Sequence, residues 1–329
     1  MKPLEIDVFN GDADGLFAAH QLRLAEPGPD PASVAVVTGL KRDIALLDRI
    51  EVGAAAAGRL QLRVFDISLA RNRAALERLL AAGATVRWFD HHHAGAVPAH
   101  ARLRTCIDTA PDVCSSLLVD RELRGQHRRW AVAAAFGDNL ATVAHTVGAA
   151  MGLDECELAQ LRELGEAVNY NGYGETLTDV LVAPAKLYAR LARYADPLDF
   201  VRDDPIVTQL AARRRTDLAT AVQLPAWRDS GAGAVFVLPD DGWSRRVLGS
   251  FANLLAERSP DSAFAVLKAR PAGTYTASVR APINAPRGTD RLCRRFGGDG
   301  RAGAGGVDRL PADELEAFAR AFEQHDWGR

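Results

Sequence analysis

The sequence predicts an α/β protein of two domains, the first a mainly parallel sheet with helices on both faces, the second a smaller α/β module. Three observations carry this reading. Short alternating apolar runs, separated by helix-length segments, recur through about the first third of the chain, the pattern of parallel strands joined by crossover helices. A helical stretch follows from Val113 to about Tyr194, and a new strand–helix–strand series begins after Pro225. Finally, 329 residues suffice to bury two cores. The expected boundaries are 1–194 for the first domain, 195–225 for a helical connector and 226–329 for the second domain.

The elements follow in order. Leu4–Phe9 alternates as a strand and runs into Asn10-Gly11-Asp12-Ala13-Asp14-Gly15, after which a helix starts near Leu16 and continues towards Glu26. Two carboxylates one residue apart in a glycine-bounded loop can face one cation, although a solvated acidic turn is the alternative for this segment alone. Ser33–Thr38 and Leu60–Phe65 read as strands, the latter ending on Asp66. A helix over Arg71–Ala82, stopped by Gly83, leads to the strand Ala84–Phe89, which ends on Asp90-His91-His92-His93. Ligands of open α/β sheets lie outside the carboxyl ends of strands, so three strand ends deliver Asp12/Asp14, Asp66 and His91/His92 to one edge. Imidazole beside carboxylate suits Mn²⁺, Co²⁺ or Zn²⁺. The apolar run Ala131–Gly137 ends on Asp138, a costly carboxylate unless paired or bound to metal, which makes it the preferred fourth contributor. Asp108, after the short strand Arg102–Ile107, is the runner-up and equally suits a helix cap. Asn169–Gly174 reads either as a pocket-lining loop or as a plain turn.

Beyond the connector, with Arg213-Arg214-Arg215 on a solvated helix, strands are expected at Ala234–Leu238, Ala263–Lys268 and Tyr275–Arg280, with a helix over Arg245–Arg258 and a last helix over Pro311–Gln324. Between them, Gly297–Gly306 holds six glycines in ten residues. Exposed N–H groups in such a stretch can cradle an anion, and Arg280, Arg295 and Arg301 lie nearby. The formal net charge of -2 supplies no global field for nucleic acid or membrane. The four cysteines lack metal-type pairing, and no apolar run reaches membrane-spanning length or marks a signal peptide, so a cytoplasmic protein is expected.

The ordered set Asn10-x-Asp12-x-Asp14-Gly15, Asp66, Asp90-His91-His92 and Asp138, followed by a glycine-rich C-terminal module, resembles the DHH phosphoesterase superfamily over nearly the whole chain, with a DHHA1-like second domain. That superfamily includes RecJ-type exonucleases, oligoribonuclease/pAp phosphatases, cyclic-di-AMP phosphodiesterases, exopolyphosphatases and family II pyrophosphatases. The resemblance implies two Mn²⁺ ions, with Co²⁺ or Mg²⁺ as substitutes. Asp12 and Asp66 would hold the first, with Asn10 standing where many relatives have His. Asp14, Asp66, His91 and Asp138 would hold the second. Asp90 would orient an imidazole, and His92 would contact the scissile phosphate. Gly297, Gly298, Gly300, Arg301 and Arg280 would bind substrate, with Arg301 and Asp299 departing from the family's Gly-Gly-Gly-His-like run. The implied chemistry is hydrolysis of phosphodiesters or phosphomonoesters in short oligonucleotides or small nucleotides, by water activated between two ions. A RecJ-like single-strand exonuclease and a catalytically degenerate nucleotide-binding protein are the alternatives. The oligomeric state is left open.

Overall fold

The structure, a computed structural model, describes residues 4–28, 35–54, 60–231, 233–270 and 273–327. It divides into two compact units, Met1–Ala211 and Ala212–Arg329. The boundary falls inside a long helix within the stretch read as a connector. Ser33 and Val34 of the second expected strand lie outside the described residues.

The first unit runs β1 (Leu4–Phe9), α1 (Ala13–Ala25), β2 (Ala35–Thr38), β3 (Leu60–Phe65), α2 (Leu69–Ala81), β4 (Thr85–Asp90) and β5 (Leu103–Ile107). Helices α3 (Ser115–Glu122), α4 (Arg128–Gly137), α5 (Ala141–Ala150), α6 (Glu155–Gly172), α7 (Pro184–Leu191), α8 (Pro197–Asp203) and α9 (Pro205–Val222) follow, the last crossing the unit boundary. The five strands are all parallel, in the order β2-β1-β3-β4-β5. Their alternation divides the core. Phe9, Phe65 and Phe89 point to one face, into a cluster with Leu16 and Phe17 of α1, Trp130 of α4 and Leu161 of α6. Val8, Val64 and Trp88 point to the other, against Leu76 and Leu79 of α2 and the single turn Leu46–Arg49. Register puts Phe9 opposite Phe65 and Phe65 opposite Phe89, so the residues that follow, Asn10, Asp66 and Asp90, leave the sheet side by side.

Two local expectations change. Helix α1 begins at Ala13 rather than near Leu16, because the Asp12 carboxylate accepts the Gly15 N–H at 3.1 Å and caps the helix. Asn169–Gly172 is the last turn of α6 rather than a loop. Gly83, at φ 107°, follows α2 as expected.

The second unit runs β6 (Arg228–Asp229), β7 (Gly233–Leu238), α10 (Gly242–Arg258), β8 (Ala263–Arg270), β9 (Thr274–Arg280), α11 (Thr289–Arg295), β10 (Asp299–Gly300), β11 (Ala304–Pro311) and α12 (Leu315–Glu323). Its six-stranded sheet has the order β10-β11-β9-β8-β7-β6, and only the β7/β8 pair is parallel. The glycine-rich stretch is therefore largely a hairpin, and β11 continues through Pro311, which shortens the last helix at its start. No helix among the described residues is long and apolar enough to cross a membrane.

Candidate active site

The site is built on the ends of β1, β3 and β4, where the connection after β1 runs to β2 on one side and that after β3 runs to β4 on the other, the usual crevice of such folds. Asp66 turns off β3 at φ 54°, a left-handed conformation that a β-branched residue would resist and aspartate tolerates. Asp14 stands in the first turn of α1, fully buried, with its carboxylate against the N-terminus of α3: one oxygen accepts Ser115 N and the other Ser116 N, each at 2.7 Å. Those amides would otherwise be unsatisfied helix-end donors, so α3 holds both oxygens in place. Ser115 Oγ donates to Asp66 Oδ1 at 3.3 Å, and Ser116 Oγ to Asp14 O at 2.9 Å.

His91 is aimed by its own backbone environment. Its Nδ1 lies 3.0 Å from the carbonyl of Val113, which can only accept, so Nδ1 carries a proton and Nε2 faces the carboxylates. Nε2 is 3.4 Å from Asp66 and 3.8 Å from Asp138, the C-cap of α4. Burial works against charge on His91, but the Asp66 hydrogen bond and the fields of Asp138, Asp66 and Asp14 prevail and push its pKa up to about 10. Burial raises Asp66 well above the carboxylate range, reinforced by Asp12 and Asp14, and raises Asp138 as well. The cluster thus holds more negative charge than its interior stabilises, and the proton on His91 does what a cation would do.

Asp90 is fully buried, and its Oδ1 takes both His92 Nδ1 at 2.7 Å and His92 N at 3.2 Å. The imidazole that Asp90 orients is therefore His92, whose side chain is 46% exposed. Donor atoms of Asp66, His91 and His92 also lie within 4.8 Å of one another, a possible metal grouping in its own right. Within it, His92 Nδ1 is nearer to Asp90 than to Asp66, which is 3.8 Å away. Asp108 stays outside this cluster, accepting Ala110 N at 3.0 Å and pairing with Arg121 at 3.1 Å.

At the β1 end, Lys41 enters a site that sequence reasoning assigned to metal. Its ammonium donates to Asp12 Oδ2 and, at 3.3 Å, to Asn169 Oδ1, above the ring of Tyr173. Burial disfavours charge on Asp12, yet the Lys41 ammonium and the Gly15 N–H hold its pKa below the usual value. Asn10 donates its amide to the Lys41 carbonyl at 3.3 Å, and its buried Oδ1 has no partner among the described residues. Lys41, Ser115 and Ser116 were not singled out from the sequence. The serines had one legible signal, since they open an apolar helical run as capping residues do.

In the second unit the expected phosphate cradle takes a different form. The N–H groups of Gly297, Gly298, Gly300 and Arg301 already donate to Arg294 O, Cys293 O, Asp299 Oδ1 and Ala304 O. The glycines serve close strand approach instead: a Cβ on Gly298 would lie 2.1 Å from Gly306 O, and one on Gly300 2.4 Å from Gly305 Cα. Anion recognition here would fall to guanidinium side chains. Arg280 is held by Asn253 at 2.6 Å and Ser278 at 3.1 Å, and Arg301 sits exposed at the hairpin tip.

No protein-family model and no curated protein matches the sequence. Solved structures do match. RecJ from Thermus thermophilus in complex with Mn²⁺ is 21% identical with a TM-score of 0.57, over 97% of this chain and 51% of that one. An exopolyphosphatase-related protein from Bacteroides fragilis is 14% identical with a TM-score of 0.53, over 98% and 91%. An exonuclease RecJ bound to manganese is 22% identical with a TM-score of 0.50, over 97% and 89%. The chain thus spans about half the length of the T. thermophilus RecJ it matches. These likenesses define the class by fold: the chain has the fold of these RecJ and exopolyphosphatase-related structures.

Proposed function

We propose that the chain is a divalent-metal-dependent phosphoesterase of the DHH type, hydrolysing phosphate esters in short oligonucleotides or small nucleotides. The observation that carries this is the His91 arrangement. An imidazole nitrogen is turned by the Val113 carbonyl onto Asp66 and Asp138, with Asp14 seated beside them on the α3 N-terminus. Asp14 and Asp66 keep lone pairs beyond their hydrogen bonds, and mixed nitrogen and oxygen donors fit Mn²⁺. A divalent ion held by Asp14, Asp66, His91 and Asp138 would lower the pKa of a bound water and polarise a phosphoryl oxygen.

The chain's own residues supply the rest. His92, held by Asp90 at Nδ1 and half-exposed, is available to hydrogen-bond a phosphoryl oxygen or protonate a leaving group. Arg280 and Arg301 bring charge for a substrate phosphate. The first ion of the expected pair fits less well, because a side-chain ammonium, that of Lys41, already sits against Asp12 Oδ2.

The test is a substrate panel on metal-stripped protein with MnCl₂ restored, running from dinucleotides to long single strands and inorganic polyphosphate. Turnover of the short substrates that vanishes in excess EDTA is expected. Full hydrolysis in EDTA refutes the reading, and a preference for long strands replaces it with the RecJ-like one.

A further inference from the structure

We infer that the Lys41 ammonium permanently takes the place of one of the two metal ions, so that the site holds a single divalent ion per chain. The inference rests on the proposed phosphoesterase reading and refines its cation requirement.

Four observations point to Lys41 as a resident cation rather than a passing surface charge. First, its ammonium is enclosed by groups suited to it: the buried carboxylate of Asp12, the amide oxygen of Asn169 and the π face of Tyr173, whose ring centre is 5.1 Å away. Second, its backbone is clamped on both sides. Lys41 N donates to Gly172 O at 3.0 Å, and Lys41 O accepts from Asn10 Nδ2 at 3.3 Å. Asn10, expected beside the first ion, gives its amide N–H to the lysine backbone, while its Oδ1 has no partner among the described residues. Third, the glycines around Asp12 are those that admit this clamp. A Cβ on Gly11 would meet Gly39 O at 1.9 Å, and one on Gly172 would meet Asp12 Cα at 3.2 Å. The loop carrying Lys41 and the end of α6 both close on Asp12 only because these positions lack side chains. Fourth, the chain uses lysine four times among 40 basic residues, and one of the four is here. A compact ammonium can occupy an ion-sized space that the planar fork of arginine would overfill.

The consequence is a division of labour. Asp12 is neutralised by a cation that no chelator removes, while water activation stays with the Asp14, Asp66, His91 and Asp138 group. Lys41 then offers a phosphoryl oxygen or leaving group a fixed positive charge, and carries no water of its own.

The experiment counts ions. Metal-stripped full-length chain is titrated with MnCl₂, free Mn²⁺ is read by electron paramagnetic resonance, and bound metal is confirmed by elemental analysis. One Mn²⁺ per chain is expected for wild type. Lys41→Met, which leaves Asp12 uncompensated, should bind two, and Lys41→Gln serves as a second uncharged variant. His91→Ala should abolish binding in the otherwise wild-type chain. Two ions on wild type, or one ion on both uncharged variants, overturns the inference and leaves the phosphoesterase reading standing. No ion on wild type overturns that reading as well, so the two failures are distinguishable.

Discussion

The carboxylates of the cluster are alike in charge and unlike in support, and this predicts opposite effects from one substitution. Asp66→Asn removes a buried negative charge that burial, Asp12 and Asp14 all disfavour in the metal-free chain. Asparagine tolerates the φ of 54° at this position about as well as aspartate does. In excess EDTA this variant should be more stable than wild type by about 0.5–2 kcal/mol, the usual gain when a functional site is relieved of its internal conflict. Asp14→Asn does the reverse. Both Asp14 oxygens accept backbone N–H groups at 2.7 Å, and an amide has one oxygen. Its NH₂ would face Ser115 N or Ser116 N, leaving a buried donor unpaired and a charge-assisted bond lost, a cost of about 2–3 kcal/mol. The assay is urea unfolding of the full-length variants in EDTA, followed by near-ultraviolet circular dichroism, with shifts taken from the transition that responds to substitutions in Met1–Ala211. Both variants should lose Mn²⁺ binding. If both shift the midpoint in the same direction, the assignment of Asp14 to fold support and of Asp66 to cation holding is wrong.

Three further perturbations separate roles. Asp90→Ala frees the His92 ring without removing a donor assigned to metal, so kcat should fall about 10–100-fold while Mn²⁺ affinity stays close to wild type; an equal loss of affinity would instead place His92 among the metal ligands with Asp66 and His91. His20 is buried against Trp130, bonds Tyr194 O at 2.8 Å, and is pushed by burial down to about 4. The unfolded chain therefore binds the extra proton between pH 6.5 and 4, and stability present above that window should fall by about 3 kcal/mol as pH drops through it. His20→Gln should flatten this slope, and an unchanged slope would refute the assignment. Arg301→Ala should lower kcat/KM on a dinucleotide about ten-fold or more and leave bis-p-nitrophenyl phosphate nearly untouched, because the smaller substrate has no second phosphate to bind; no change on either substrate removes Arg301 from recognition.

How much of this was legible in the sequence follows from the range over which each signal acts. The strand ends were readable because period-two alternation is local and a carboxylate closing an apolar run has few other uses, so Asp66 and Asp90 fall where the pattern put them. The hairpin at 299–311 was not readable as strands, since glycine erases the alternation and the β-branched content that mark a strand. What demands glycine there is the approach of another backbone, visible only once Gly298 and Gly306 are seen together. Which imidazole Asp90 orients was likewise hidden, because it depends on which carboxylate His92 Nδ1 reaches, 2.7 Å against 3.8 Å.

Lys41 marks the limit most clearly. Its ammonium is separated by 29 positions from Asp12 and by 128 from Asn169, and nothing in the segment around it carries a motif. The acidic half of an electrostatic site is legible because several carboxylates must gather, and their gathering repeats along the chain at successive strand ends. The cationic half needs a single residue, delivered by whichever loop happens to close, so it leaves no periodic trace. In this chain the closure is written in Gly11 and Gly172, positions that read in sequence as mere freedom of the backbone and act in the fold as room for a lysine to reach a buried aspartate.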